Sequence, residues 1–553
     1  MVAHWRGMLG LILLLPAAGS AIGQEPQHDA KGHDAKALAH KVDQLLAERW
    51  TRAGIEPVPQ ADDAEFLRRI YLDLAGRIPS VAEAREFLAD TRADRREKLV
   101  DKLLASPRYA MHFTNVWRAI LIPEANNNFI VRTQQGGFET WLRQRVARNA
   151  GYDEMARDLL TAPIGAQGFG ALALAGTGQA SPLAFYSAKE FKPENLAAGT
   201  ARVFLGVSVE CAQCHNHPFA EWKREQFWGF AAFFAGIQSQ RVMDFLLPGK
   251  EMPDKRELAI PGMDKVVQAV FLDGTEPAWK PKTATRATLA EWVTSPDNAY
   301  FCRTAVNRTW AYFFGTGLVE ALDEMAATAG AARNVELLDL LAQEFAAHRF
   351  DMHFLIRTIT STRAYQLTSG ATADKARDEP SLFARMPLRG LTGEQLFDSV
   401  AMATGLRDIG AGRNDLLSAA TGGNRSPRAE FLSRFATQTE QTTKAQSSIL
   451  QALSLMNGKL IAGATSLEQS EMLAAVVDAP FLTTPQRIET LYLATLSRKP
   501  ATKELERARR FIDDAVKNAP ATLDEEARRQ VYGHAMADVF WALLNSAEFS
   551  INH

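Results

Sequence analysis

The sequence predicts a mainly α-helical protein in several segments, with one small β insertion near residues 240–285. Three observations carry that expectation. Apolar residues recur at helical spacing along most of the chain, helix caps punctuate those stretches, and prolines with strand-like runs gather in 240–285. With 553 residues, 46% of them hydrophobic and 23% charged, the chain is long and apolar enough to bury a large core.

The elements follow in order. Residues 1–23, MVAHWRGMLGLILLLPAAGSAIG, read as a secretory signal peptide: Arg6, a short apolar run, then small residues. The run is shorter than a spanning helix needs, and no other segment reaches about 18 uninterrupted apolar residues, so no stable membrane span is expected. Residues 24–40 are polar and expected as a flexible lead-in, with His28, His33 and His40 as solvated tail histidines. From Lys41 to Met111 three or more short helices are expected. Phe66, Leu67, Ile70, Tyr71 and Leu74 share one face, Gly76 suits a C-cap, and Ser80 with Glu83 forms a capping box. Asp94 and Glu97 repeat that capping spacing.

Residues 161–181 are rich in Gly and Ala; Gly168-x-Gly170-x-x-Ala173 has the look of a dinucleotide fingerprint without the flanking strand, and is read as a loop. ENLAAGTARVFLG (194–206) reads as a helix, and KVVQAVFL within 240–285 as a strand. Helical spacing returns from Ala287 to about Tyr365 and from Gly393 onward, with a long loop expected over 405–447.

One internal echo stands out. YLDLAGRIPSVAE (71–83) and YLATLSRKPATKE (492–504) share Tyr, Leu, Arg, Pro and Glu at equal offsets, and LLASPRYA (103–110) matches LLNSAEFS (543–550). A repeated helical module is expected, with Arg77 and Arg498 bonding carbonyls of the preceding helix end.

Lys and Arg number 62 against 64 Asp and Glu, a net charge of −2, so no basic field points to nucleic acid. Only three cysteines occur, which excludes a disulfide-built scaffold. Cys302 stands alone and is expected as a buried small hydrophobe. The other two lie in CAQCHNHPF (211–219). Cys211-x-x-Cys214-His215 is the c-type haem attachment pattern: two thiols reach one porphyrin edge and the adjacent imidazole ligates the iron. His112, Met243, Met252 and Met263 are the possible distal ligands, and the aromatic run FWGFAAFFAG either walls a haem or fills a core. Two other readings stay open. Cys211 and Cys214 with His215 or His217 would hold zinc or another metal, or the two thiols would form a disulfide.

G-x-S-x-G, H-E-x-x-H, P-loop and kinase signatures are absent, so enzyme activity is left open. Asp323-Glu324 reads as a solvated helix start rather than a cation site, and His348 and His353 as capping or core histidines.

FLRRIYLDLAGRIPSVAEAREFLAD, KLVDKLLASPRYA and ARVFLGVSVECAQCHNHPFAEWKREQFWGFAAFFA resemble the planctomycete cytochrome-like domain PSCyt2 (DUF1549). LAEWVTSPDNAYFCRTAVNRTWAYFFGTGLVEALDEM, FDMHFLIRTITSTRAYQLTS and LLNSAEFSINH resemble its companion PSD1 (DUF1553). The resemblance divides the chain into a PSCyt2-like helical domain at 41–239, the insertion at 240–285 and a PSD1-like helical domain at 286–553. It implies a secreted bacterial protein of cytochrome-like character. In that family many relatives carry a separate N-terminal cytochrome domain, and none is expected in this chain, where only residues 24–40 separate the signal-like segment from the first expected helix. Val306-Asn307-Arg308-Thr309-Trp310 match the second pattern and are expected in helix packing rather than in the lining of a ligand cleft. The leading expectation is an exported, periplasmic or secreted protein binding one haem c through Cys211, Cys214 and His215, and transferring electrons to a redox partner protein. The competing expectation is a zinc-binding or non-catalytic binding protein linked to polysaccharide use.

Overall fold

The computed structural model describes residues 26–126, 128–164, 179–216, 222–242, 245–325, 334–370, 379–406, 428, 430–432 and 459–553. Within these the chain is mainly helical, and its strands form three two-stranded antiparallel ribbons. Two of the ribbons form the insertion expected near 240–285, the first starting slightly ahead of it at Ile237. β1 (Ile237–Val242) pairs with β2 (Phe245–Glu251), and β3 (Glu257–Ala259) with β4 (Val266–Gln268). The third joins β5 (Arg389–Gly390) to β6 (Ile551–Asn552). The signal peptide at 1–23 and the Gly168 to Ala173 fingerprint lie outside the described residues, as does most of the loop at 405–447.

The lead-in expected at 24–40 is corrected. A helix runs from Pro26 to Ala53, and Ala35, Leu38, Ala39, Val42 and Leu46 are buried. Their spacing makes one apolar stripe, which packs on helix Met352–Ser361; polar composition had hidden it.

Local capping rules hold in the first helices. Asp63–Ala75 ends at Gly76, whose φ of 67° is left-handed. A Cβ there would meet His112 Nδ1 at 2.4 Å, so packing as well as backbone demands glycine. Ser80 and Glu83 form the expected capping box ahead of Val81–Ala89. Asp94 does not cap Arg95–Leu104; its carboxylate pairs with Lys98 at 2.7 Å instead.

The echo is a structural repeat. Each copy is a helix, a turn around Arg-x-Pro, and a second helix: Asp63–Ala75 with Val81–Ala89, and Thr484–Leu496 with Thr502–Lys517. The arginines point forward rather than back. Arg77 bonds the carbonyl of Ile78 and both oxygens of Glu83, and Arg498 bonds the carbonyl of Lys499 and both oxygens of Glu504. Each carboxylate also accepts the backbone N–H that opens the following helix, from Ser80 or Ala501. The copies pack together: Leu72 and Ile78 share a core with Leu491 and Leu496.

A larger core holds side chains from both sides of the insertion, among them Phe204, Phe234, Trp310 and Phe345. Arg286 ties the insertion in, holding Glu251 at 2.5 and 2.7 Å while donating to the carbonyls of Leu160 and Ala162. A buried polar knot joins the two ends of the sequence. Asp73 accepts from Arg389 and Asn552 at 2.7 Å each and from Tyr365 at 2.8 Å. Arg68, fully buried, donates to the carbonyls of Thr495, Glu548 and Phe549. These bonds satisfy charged groups that burial would otherwise leave at a cost of several kcal/mol each.

Candidate functional site

The cysteine motif follows a distorted helix. Pro193–Thr200 is α-helical, and Ala201–Leu205 continues as a wider π turn. It stops at Gly206, whose φ is 63° and whose missing Cβ leaves room for Met325 and Thr304. Val207 then bridges Glu324, and the Met325 N–H donates to the Gly206 carbonyl at 3.1 Å. Asn307 and Arg308 hold that partner segment. Asn307 exchanges bonds with the backbone of Val319 at 2.8 and 3.1 Å. Arg308 pairs with Asp323 and donates to the Arg202 carbonyl at 2.7 Å. The expected packing role of Asn307 and Arg308 is therefore met, and Asp323 is ion-paired rather than a solvated helix start.

Glu210–Gln213 forms a 3₁₀ turn with Ala212 buried beneath it. In such a turn positions three apart eclipse one another, so Cys211 and Cys214 lie on the same side, and both are exposed free thiols. The turn is pinned from below at Gln213. Its carbonyl accepts from Trp228 Nε1 at 3.0 Å and from Arg224 Nε at 3.1 Å. Asn216 Oδ1 accepts the Arg224 N–H at 2.9 Å.

His215 is exposed, and its Nδ1 lies 2.8 Å from the Asn216 carbonyl. A carbonyl oxygen only accepts, so Nδ1 carries the proton and Nε2 keeps its lone pair. This is the tautomer a metal-ligating histidine needs, with its other nitrogen oriented by a backbone acceptor. His217 lies outside the described residues.

Neighbouring charges form a second layer. Lys189 is buried against Glu124, and burial lowers its pKa despite that pairing. Glu210, beside Cys211, has its pKa raised by lost hydration and by the Asp323 carboxylate.

The aromatic run is core rather than a haem wall. Phe227, Trp228, Phe230, Phe233 and Phe234 are buried. Phe233 stacks on Phe271 at 5.1 Å, which stacks on Trp292 at 4.8 Å. His112 is committed elsewhere: the Tyr312 hydroxyl donates to the Asp73 carbonyl, so His112 Nε2 must donate to that hydroxyl, at 2.6 Å. Burial holds the His112 pKa down at about 4. Met243 lies outside the described residues, while Met252 and Met263 are exposed. Cys302 is buried, and burial pushes its thiol up to about 11. His348 stacks on Phe354 and His353 meets the Tyr109 ring edge-on, both in packing roles.

A shallow cleft of about 690 Å³ lies between helices Pro26–Ala53 and Val335–Ala347, and none of its lining belongs to the cysteine motif. Among the described residues no group of three or more His, Cys, Asp or Glu is arranged to hold a metal, and no helix is long and apolar enough to cross a membrane. Sequence reasoning missed the supports of the motif, Arg224 and Trp228; the only signal was their place at a helix start shortly after the cysteines.

Two family matches cover most of the chain. PSCyt2, described as a protein of unknown function (DUF1549), matches residues 41–239, and PSD1, described as a protein of unknown function (DUF1553), matches residues 285–512. No curated protein and no solved structure matches the chain.

Proposed function

Since the chain belongs to the proteins that join a PSCyt2 domain to a PSD1 domain, we propose that it is an exported cytochrome-like protein carrying one haem c for electron transfer to a partner protein. The observation that carries this reading is the pairing of two exposed thiols on one side of a 3₁₀ turn with a histidine whose Nε2 is free. Cys211 and Cys214 would form the two thioether links, and His215 Nε2 would hold the iron. The haem iron supplies one-electron transfer when bound. The chain's own part is positional. Arg224 and Trp228 hold the Gln213 carbonyl, so the turn keeps its thiols outward. The Asn216 carbonyl keeps the proton of His215 on Nδ1. Export rests on the signal-like residues 1–23 and suits thioether formation outside the cytoplasm.

One observation favours a second reading. The aromatic run is spent in the core, which leaves Cys211, Cys214 and His215 exposed, and a zinc ion there would have to draw these side chains together from their present positions. The test is direct. Protein exported from a host with cytochrome c maturation should stain for covalent haem after denaturing electrophoresis and show a Soret band, and Cys214→Ala should weaken both. A colourless protein whose zinc content falls in Cys214→Ala overturns the haem reading and supports the second.

A further inference from the structure

We propose that the cleft between helices Pro26–Ala53 and Val335–Ala347 seats the helix Thr502–Lys517 of a second copy of this chain, joining copies head to tail. The inference is independent of the cysteine motif. The two walls of the cleft run antiparallel: His348 lies 3.8 Å from Asp34, and Lys41 pairs with Glu344 at 3.4 Å, so the start of one wall faces the end of the other. Along the first wall Glu48, Leu45 and Lys41 line the cleft, and along the second Glu336, Leu340 and Gln343 do so in the same spatial order.

Each wall therefore presents one order of chemistry over about two helical turns, roughly 10 Å: a carboxylate, a leucine, then an amine or amide. Leu45 and Leu340 are partly buried and pack on the core beneath them. Glu336 is exposed and has no ion pair among the described residues. Glu48 reaches only the exposed Arg52, at 3.7 Å. The remaining acid of the lining, Asp339, is spent on Arg303 at 2.6 Å.

Helix Thr502–Lys517 carries the complementary order. It packs inward through Ala508 and Ile512. Its outward face holds Lys503, Arg507, Arg510 and Lys517, all exposed and none in an ion pair among the described residues. Arg507, Phe511 and Asp514 fall at i, i+4 and i+7 on one side of this helix, the same spacing as Glu336, Leu340 and Gln343. Laid parallel to the second wall, the helix sets Arg507 between Glu48 and Glu336, Phe511 on Leu45 and Leu340, and Asp514 opposite Lys41. Phe511 is 47% exposed, and this seat takes its ring out of water. A shift of one turn sets the ring against the two carboxylates in one direction and against Lys41 in the other, so one register satisfies both charge and burial. The two surfaces differ, so the contact is heterologous and builds a ring or an open chain rather than a closed pair. So small a seat gives a weak association, and its ion pairs make it sensitive to salt.

The test is sedimentation velocity from dilute to concentrated protein. Wild type should sediment faster as its concentration rises, and less so in high salt. One double variant, Glu48→Lys with Glu336→Lys, reverses the cleft; another, Arg507→Glu with Arg510→Glu, reverses the helix. Both change only exposed side chains. Each should lose the concentration dependence on its own. Mixed in equal amounts they should regain it, because the basic cleft of one accepts the acidic helix of the other. Phe511→Ser should weaken assembly with the charges left intact. A wild type that stays monomeric at every concentration overturns the proposal. So do double variants that assemble alone as wild type does, or a mixture that stays monomeric while wild type assembles.

Discussion

In the first copy of the repeated module Arg77 holds the Glu83 carboxylate with two bonds of 2.9 Å, and in the second Arg498 holds Glu504 at 2.7 and 2.9 Å. Arg77 lies over the Tyr71 ring and Arg498 over Tyr492, each 5.5 Å from the centroid. The chain turns through left-handed backbone at Gly76, with φ 67°, and at Ser497, with φ 61°. The local bonding is one design used twice. The surroundings differ. The Arg77 side chain is 10% exposed, whereas Arg498 is 27% exposed and also holds Glu548 at 2.7 Å. Helix Pro107–Leu121 brings His112 over Gly76, and at Ser497 a side chain fits. Short-range sequence therefore sets the shape of the turn, and the packing around it sets how much each residue matters.

The largest expected effect tests that difference directly. Arg77→Ala should destabilise the protein by about 3 kcal/mol, because it strands a partly buried carboxylate. Arg498→Ala should cost about half as much, because water already reaches the guanidinium, 27% exposed against 10% for Arg77. Urea unfolding of both variants measures the contrast; equal losses would mean that burial does not separate the copies.

Next comes the turn residue. Gly76→Ala should cost about 2–3 kcal/mol, combining left-handed strain with displacement of His112. Ser497→Gly should instead stabilise by about 1 kcal/mol, since it relieves that strain and removes a buried hydroxyl without a partner. Thermal melts of the pair should move in opposite directions, and a loss of stability in Ser497→Gly would refute the account of that turn.

A third comparison uses pH. Burial opposes ionisation of Glu83, but bonds from Arg77 and the Ser80 N–H outweigh it and hold the pKa down at about 2. Its folded pKa lies below its unfolded value, so its contribution is complete above about pH 4.5 and fades as pH falls toward 2. Glu504 is also lowered, chiefly by Arg498. Between pH 5 and 3, Glu83→Gln should flatten the stability profile more than Glu504→Gln. The reverse order in denaturant titrations would count against the assignment.

The smallest effect concerns the cap at Asp94. It makes no cap bond, so Asp94→Ala loses only an exposed pair with Lys98 and should change stability by less than about 0.5 kcal/mol. Ser80→Ala, at a working capping box, should cost about 1 kcal/mol in the same assay.

Features carried by neighbours in sequence were legible: the capping box at Ser80, the left-handed Gly76, the Arg-x-Pro echo, the presence of a small β element in the insertion and the cysteine-histidine pattern itself. Each depends on residues a few positions apart. Polar composition misled at 24–40, because a buried stripe needs only every third or fourth residue to be apolar. The aromatic run 227–234 was ambiguous for a similar reason. A core helix and a cofactor wall have the same composition, and only the stack through Phe271 and Trp292 distinguishes them.

By itself the sequence determined the helical class, the turn chemistry and which side chains offer thiols and imidazole. Tertiary structure alone decided what those groups face. Asp73 meets Arg389 and Asn552, and Gln213 meets Arg224, which in turn reaches Pro261. Partners tens to hundreds of residues apart leave no periodic trace, since the bonds that join them depend on how helices pack rather than on any spacing along the chain.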